Sequence, residues 1–399
     1  MTITNQYDAI VVGGRVAGAS TALLLARAGH RVLVVDKATF PSDTLSTLVV
    51  MPAGVAALDR WGILDEIADS GAPPIERFTF DFGPVVLSGR PRGPEGTPRT
   101  GTGYAPRRTV IDTILVEAAA RAGAEVRQGF TVEEVLVDDG AVVGIRGHDD
   151  GGASVTERAR IVIGADGWNS AVARTVDAQR FHAKPVKENA YYNFWPGLAN
   201  QGMVTYIRGD RGVAVIPTND DLHLVLVGCP FAQAAEFRAD LEGNYRAGLE
   251  RVPELAQALR GAEPTERFVG GGVPNFFRQT FGPGWALVGD AAYTKDPITA
   301  QGISDALTGA ESLVPAIEAT WSGDDKALAR RQEAWLAAKL PLYEFTTHLA
   351  ELSPPPPELA ALLGSLQGNQ EAMDAFVSLN CGTLSPPDFF AGLDVSVPG

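Results

Sequence analysis

Residues 7–36 constrain the fold more tightly than any other part of the chain. Residues 7–12 form a short apolar run, 13–18 a glycine-bearing turn, and 19–28 a stretch rich in Ala and Leu closed by Gly29. Residues 31–35 are a second apolar run, ending at Asp36. Short, wholly apolar runs of this kind read as strands buried on both faces, and a glycine after an Ala/Leu-rich stretch reads as a helix stop. The pieces make one βαβ unit. A dinucleotide fingerprint at such a turn uses three glycines: for the tight turn, for close approach to the pyrophosphate, and for packing of helix on strand. Here those positions hold Gly13, Arg15 and Gly18. Asp36, about twenty residues on, is placed to hydrogen-bond ribose hydroxyls and to repel a 2′-phosphate. Arg15 has two readings. It either blocks close approach of phosphate, or it sets a guanidinium beside the pyrophosphate as a charge-assisted contact. The other cofactor motifs favour the second. Val16, Ala17 and Lys37 are grouped with the same site.

The remaining chain is long enough, at 399 residues, for two or three structural units. A net charge of −15 argues against nucleic acid and anionic membrane as partners, since both call for clustered Lys and Arg. Cys229 and Cys381 stand far apart, which excludes a disulfide scaffold, a cysteine zinc site and the paired redox dithiol of disulfide-reducing flavoproteins. No metal is expected. The polar opening residues do not read as a signal peptide, and no apolar stretch is long enough to span a bilayer. A cytoplasmic location is expected.

After the βαβ unit, a helix is predicted over 53–70 and an aromatic strand face at Phe78, Phe80 and Phe82. An exposed loop or hairpin is predicted over 89–103, a helix over 108–123, strands within 124–137, and a buried strand over 160–165 ending at Asp166. Alternating strands dominate 181–273, with one helix near 232–252. A buried strand at 285–288 then ends in Gly289-Asp290, helices follow, and a proline-rich break at 353–357 precedes a small helical appendage.

Three separated motifs keep their order and context: the turn at 13–18, Gly164-Ala165-Asp166-Gly167 with Ser170 and Arg174, and Gly289-Asp290 followed by the segment from Pro297 to Gly302. Arg108 opens a helix ahead of Ile111-Asp112. Over residues 7–345 this set resembles the FAD-dependent aromatic hydroxylases and the related geranylgeranyl-reductase-like and halogenase flavoproteins. The resemblance implies an α/β fold: a discontinuous Rossmann-type FAD-binding domain (1–75, 101–180 and 275–345), a β-rich substrate domain (76–100 and 181–274) and a C-terminal helical segment (346–399). It also implies that Asp290 bonds the ribityl chain, and that Pro297, Gln301, Gly302 and Ile303 bring a helix N-terminus to the flavin pyrimidine, where reduced flavin carries negative charge. Arg108 is expected near the cofactor, Val132 beside the adenine through its backbone, and Asp166 near both FAD and a nicotinamide.

The implied activity is monooxygenation. FAD, reduced by NADPH or NADH, captures O₂ as a flavin hydroperoxide that oxidises a small aromatic or polyketide-like substrate, and a separate flavin reductase is an alternative electron source. Phe78, Phe80, Tyr192, Phe194 and Val215 are candidates to line the substrate pocket, with core packing as the other reading of each. The five histidines form no motif, and no catalytic base is assigned. Lys295 lies either over the flavin or in a solvated loop. A geranylgeranyl-reductase-like reductase is the alternative. A halogenase would carry a Trp-x-Trp-x-Ile segment, which none of the six tryptophans provides. A flavin-binding protein without turnover is the remaining class. The sequence departs from the resemblance at Arg15, at Ala300 where glycine is common, at Ser304 where asparagine is common, and at Arg174, which is shifted by one place.

Overall fold

A computed structural model describes residues 7–93, 101–353 and 355–393. The opening βαβ unit folds as predicted. Strand Tyr7–Val12 pairs in parallel with Val32–Asp36 through Ala9–Val32 to Val12–Val35, and the helix between them spans Val16–Arg27. Helical backbone begins three residues before the predicted start, because Val16 to Gly18 already form the first turn.

The parallel strands of the main sheet run Trp285–Leu287, Ser154–Gly164, Tyr7–Val12, Val32–Asp36, Glu125–Gln128. Numbered along the chain this is the order 3-2-1-4-5 read from the other edge, the Rossmann arrangement. Strand order reverses between Tyr7–Val12 and Ser154–Gly164, so the crevice beyond their carboxyl ends lies at Gly13 and Ala165. Every residue of Val32–Val35 and of Trp285–Leu287 is buried, as a sheet covered on both faces requires. Helices Val16–Arg27, Arg108–Arg121 and Gly302–Trp321 share one core on one face. The other face is covered by the antiparallel excursion Thr131–Asp138 and Ala141–His148, and by aromatic side chains around Phe277, Tyr293 and Tyr343.

A second sheet has seven strands in the order Val269–Gly271, Glu188–Pro196, Leu222–Pro230, Arg211–Pro217, Met203–Arg208, Phe78–Asp81, Val86–Gly89. Its pairings are antiparallel except Met203–Arg208 with Phe78–Asp81. Strand Arg180–Lys184, in the region predicted to begin this unit, pairs instead with Asn275–Arg278 in a separate three-stranded sheet.

Some predicted elements change. The helix of 53–70 is two, Pro52–Arg60 and Leu64–Asp69, separated at Gly62, whose φ of 65° suits glycine and breaks the helical run. The single helix near 232–252 is a chain of short ones, Ala234–Ala239, Leu241–Leu249 and Pro253–Ala258, with Asp240 capping the second through Gly243 N–H and Pro253 opening the third. The predicted loop or hairpin at 89–103 lies partly outside the described residues. The hairpin that is present pairs Phe78–Asp81 with Val86–Gly89. Helix Ala327–Leu349 spans the expected domain boundary between 345 and 346 and ends before the proline-rich break expected at 353–357, and helices Pro357–Leu366, Gln370–Asn380 and Pro386–Ala391 pack on that hairpin through Phe80, Leu87 and Phe376. Cys229 and Cys381 are free and buried. No helix of the described residues is long and apolar enough to cross a membrane.

Candidate functional site

The crevice at the switch point is built by close backbone approach. A Cβ on Gly18 would lie 1.7 Å from the Gly13 carbonyl oxygen, and one on Gly13 (φ 102°) would lie 2.4 Å from that of Ala165. Both positions therefore need glycine. Asp36 accepts from Gly14 N–H at 2.6 Å and from Ala38 N–H at 2.8 Å, so the acidic residue also fixes the turn. Phe130 N–H donates to the Asp36 carbonyl oxygen, which brings the strand that carries Val132 beside the same turn. Lys37 is exposed.

Arg15 takes the place of the middle glycine without closing the turn, because its side chain swings toward the loop at 42–43. One terminal nitrogen pairs with Asp112 at 2.6 Å and donates to the Ser42 carbonyl oxygen. The other donates to Ser42 Oγ and to the Asp43 carbonyl oxygen. Arg108 grips the same fully buried Asp112, donating to both of its oxygens at 3.0 Å. Both terminal nitrogens of Arg15 are thus bonded within the protein. From the sequence, Arg15 is expected only in relation to phosphate, and Asp112 has no expected role. The signal available for Asp112 was its i+4 spacing from Arg108 on one helix face.

Asp290 follows a buried strand on a turn where Gly289 (φ 61°) sits so close to the first helix that a Cβ would lie 2.6 Å from that of Ala17. Its side chain is reached by solvent, yet protein surrounds it, as for a residue on the floor of a cleft. That desolvation pushes its carboxyl up to about 6, against the opposing pull of Arg108 and Lys295. Gly302 opens the twenty-residue helix Gly302–Trp321, is exposed, and has nothing within 4 Å of where a Cβ would stand. A helix N-terminus with open space beside it suits an anion or an electron-rich ring.

Ile303 is buried beneath the crevice, and Ser304 accepts from Met51 N–H at 2.8 Å. Gln301 is buried and turned away, its side-chain amide donating to the Asn380 carbonyl oxygen of the C-terminal helices. Ala300 has φ 50° and ψ 36°, the left-handed conformation that accounts for glycine being common at this place. Lys295 is buried rather than solvated. It pairs with Asp305, whose other oxygen holds Lys339 at 2.7 Å. Burial pulls the Lys295 ammonium down, opposed by Asp305. Burial alone would raise Asp305, but the two ammonium groups hold it below its ordinary value. Asp166 caps the short helix Ala171–Thr175, accepting from Ala171 N–H at 2.6 Å.

Beside Pro297, Ile298 and Ala300 a narrow cavity opens toward the seven-stranded sheet, with about 30 Å³ open to the centres of water-sized molecules. The sheet contributes Ala190, Met203, Thr205, Ala214, Ile216 and Leu226. None of the five candidate pocket residues lines it. Phe78, Tyr192 and Phe194 belong to the core behind it, Phe194 lying under the Arg107 guanidinium at 3.7 Å, while Phe80 stacks edge-on against Phe376. Val215 packs on the opposite face with Phe237 and Tyr245, since strand alternation sends its neighbours Ala214 and Ile216 inward. Glu188, a cavity-lining residue, was missed. It stands between Lys187 and Asn189 in a sequence that reads as a polar strand edge, yet it is 1% exposed.

The crevice fits FAD: glycines where a pyrophosphate needs close approach, an acid at the strand end, open space at a helix N-terminus, and Asp290 reachable between them. Residues 6–330 match the family described as FAD binding domain. Over 363 residues the chain is 30% identical to digeranylgeranylglycerophospholipid reductase 2 of Methanopyrus kandleri, covering 83% of this chain and 82% of that protein. It is 28% identical over 355 residues to the phenazine 1,6-dicarboxylic acid hydroxylase PhzS of Lysobacter antibioticus, covering 78% and 83%. The solved structure of the flavin-dependent brominase Bmp2 superposes with a TM-score of 0.82 at 17% identity, covering 94% of this chain and 93% of that one, a likeness of fold. The chain belongs to the flavoprotein family defined by this FAD binding domain, and it is an FAD-dependent oxidoreductase.

Proposed function

We propose that the chain is a monooxygenase that hydroxylates or oxidises a small aromatic or polyketide-like molecule with O₂ and electrons from NADPH or NADH. The observation that carries the reading is the narrow, mostly apolar cavity walled on one side by Pro297, Ile298 and Ala300, the segment that leads into the helix at Gly302. Reduced FAD would supply the electrons that activate O₂. The protein's part is to bind and to exclude water. Gly13 and Gly18 let the backbone approach the pyrophosphate, Asp36 meets the ribose, and Asp290 meets the ribityl chain. The N-terminus at Gly302 favours negative charge on the ring, and the inner sheet face holds the substrate in a dry space. The similarity to a hydroxylase supports this assignment. Two buried, unpaired thiols suit a cytoplasmic location.

A second reading, reduction of a substrate double bond, is favoured by the 30% identity to the archaeal reductase. The experiment that separates them follows NADH and NADPH oxidation by the FAD-loaded protein, with and without O₂, across a phenolic and polyketide-like panel. Substrate-coupled oxygen uptake is the expected result. Substrate reduction under anaerobic conditions would instead establish the reductase. Flavin that neither nicotinamide reduces would point to a separate flavin reductase as electron donor.

A further inference from the structure

We propose that Glu188 is the polar anchor of the cavity: its protonated carboxyl group donates a hydrogen bond to the oxygen of a neutral, flat substrate such as a ketone or quinone. This rests on the cavity being the substrate site.

Glu188 begins the strand Glu188–Pro196 and lines the cavity. Its Oε2 is buried with no hydrogen-bond partner. Two features fix the group there. Its own N–H donates to Asp296 Oδ1 at 3.2 Å, and its carboxyl lies over Gly228 of the adjacent strand, where a Cβ would stand 2.0 Å from Oε1. Glycine at 228 thus makes the space that the carboxyl fills. Of the residues that line the cavity, Glu188 alone is ionisable, and Thr47 and Thr205 are the other polar side chains.

A buried polar oxygen without a partner is costly, and a ligand oxygen in the cavity would complete this one. The protonation state decides which ligand. Burial, with the charge of Asp296 added, pushes the Glu188 carboxyl up to about 8, and at neutral pH the group keeps its proton and can donate. The other charged or titratable groups around it leave that state in place. On the adjacent strand the Cys229 thiol is itself pushed up to about 11 by burial. Lys187 is paired with Glu351 at 2.8 Å, and Asp210 with Arg211 and Arg251 at 2.7 and 2.6 Å. No lining residue carries a positive charge, so a carboxylate substrate would meet an acid and no counter-ion. The site selects a neutral molecule with an acceptor oxygen.

The test titrates FAD-loaded protein with three isosteric probes, 1-acetylnaphthalene, 1-ethylnaphthalene and 1-naphthoate. Binding is read by calorimetry and by the shift in flavin absorbance. Near pH 6.5 the ketone should bind about five- to tenfold more tightly than the hydrocarbon, the scale of one buried hydrogen bond, and the naphthoate more weakly than either. Near pH 9.5 the ketone's advantage should disappear in the native chain. It should persist at both pH values in Glu188→Gln, whose amide donates without titrating, and be absent in Glu188→Leu. Should Glu188→Leu fail to retain FAD, the pH contrast between the native chain and Glu188→Gln decides alone. Equal affinity for ketone and hydrocarbon near pH 6.5 would overturn the proposal and leave the substrate site standing. So would an advantage in the native chain that persists near pH 9.5. If neither neutral probe binds with a flavin shift, the cavity is not the substrate site, and both readings fall.

Discussion

The two ends of the crevice treat a buried carboxyl group in opposite ways. At the nucleotide end, Asp112 is fully buried and gripped by two arginines, Arg15 of the glycine turn at 2.6 Å and Arg108, one turn away on its own helix, at 3.0 Å. At the cavity end, Glu188 is equally buried, has an oxygen without a partner, and faces a second acid in Asp296. Burial of charge is tolerated when a counter-ion with good geometry answers it, and otherwise the group takes up a proton. The first arrangement fastens a loop and a helix around a turn. The second keeps a donor free. Partnering, more than burial, marks which acid serves architecture and which serves a ligand.

Removing the charge at the paired end should have the largest effect. Asp112→Asn leaves the Arg15 and Arg108 guanidinium groups facing each other without the anion between them. The expected loss is about 3 kcal/mol, the scale for breaking a buried pair. Denaturant unfolding of the native and variant proteins measures it, and FAD content after purification shows whether the turn at Gly13 survives. A variant of native stability would mean that the arginines, not Asp112, organise this end.

The same neutralisation at the unpaired end should act in the other direction. The folded-state value of Glu188, about 8, lies above its ordinary 4.5. Between those values the folded protein holds a proton that the unfolded chain has lost. Stability from this group is therefore complete below about pH 4.5 and lost as pH rises through 8. By pH 7 the loss is on the order of 3 kcal/mol. Glu188→Gln removes it, so the variant should match the native protein near pH 5 and exceed it increasingly up to pH 8. Asp290, also raised, slopes the same way in both proteins and cancels from the difference. Unfolding midpoints near pH 5, 6.5 and 8 provide the check, and parallel curves would show that Glu188 is charged in the fold.

The contrast also explains what could be read from the chain alone. The nucleotide end was legible because its signals are local: a six-residue apolar strand, Gly13, Gly18 and Asp36 lie within thirty residues, and each has a backbone reason to be there. The strand ends at Gly164 and Leu287 were legible for the same reason, as continuous apolar runs. The Asp112 network was half visible, its Arg108 partner one helical turn away and Arg15 97 residues distant. Glu188 was not visible. Its surroundings come from Gly228 and Asp296, the latter 108 residues away, and a charged residue beside Lys187 reads as solvated. The cavity walls were missed for a different reason. Aromatic size singled out Phe78, Phe80, Tyr192 and Phe194, whereas the space exists because small residues such as Ala190 and Ala214 occupy the inner face. Val215 fell on the outer face because the alternation expected over 181–273 fails in this strand, whose neighbours are all apolar and set no parity.

The smallest expected effect lies at Ala300, where the two ends meet. This residue is 3% exposed, lines the cavity and sits in the left-handed region at φ 50°, two residues before the helix Gly302–Trp321. For a residue with a Cβ that conformation costs on the order of 1 kcal/mol. Ala300→Gly relieves it, but it also frees the unfolded chain, which returns about 0.4–1 kcal/mol, and it removes a buried methyl group. The net gain should be no more than ~0.5 kcal/mol. Glycine should matter more to the cavity than to the fold, since the methyl group removed is part of its wall. The variant should bind bulkier neutral ketones more tightly than the native chain while its preference for ketone over hydrocarbon, set by Glu188, stays the same. A loss of that preference would show that the left-handed turn, and not the carboxyl alone, places the substrate oxygen.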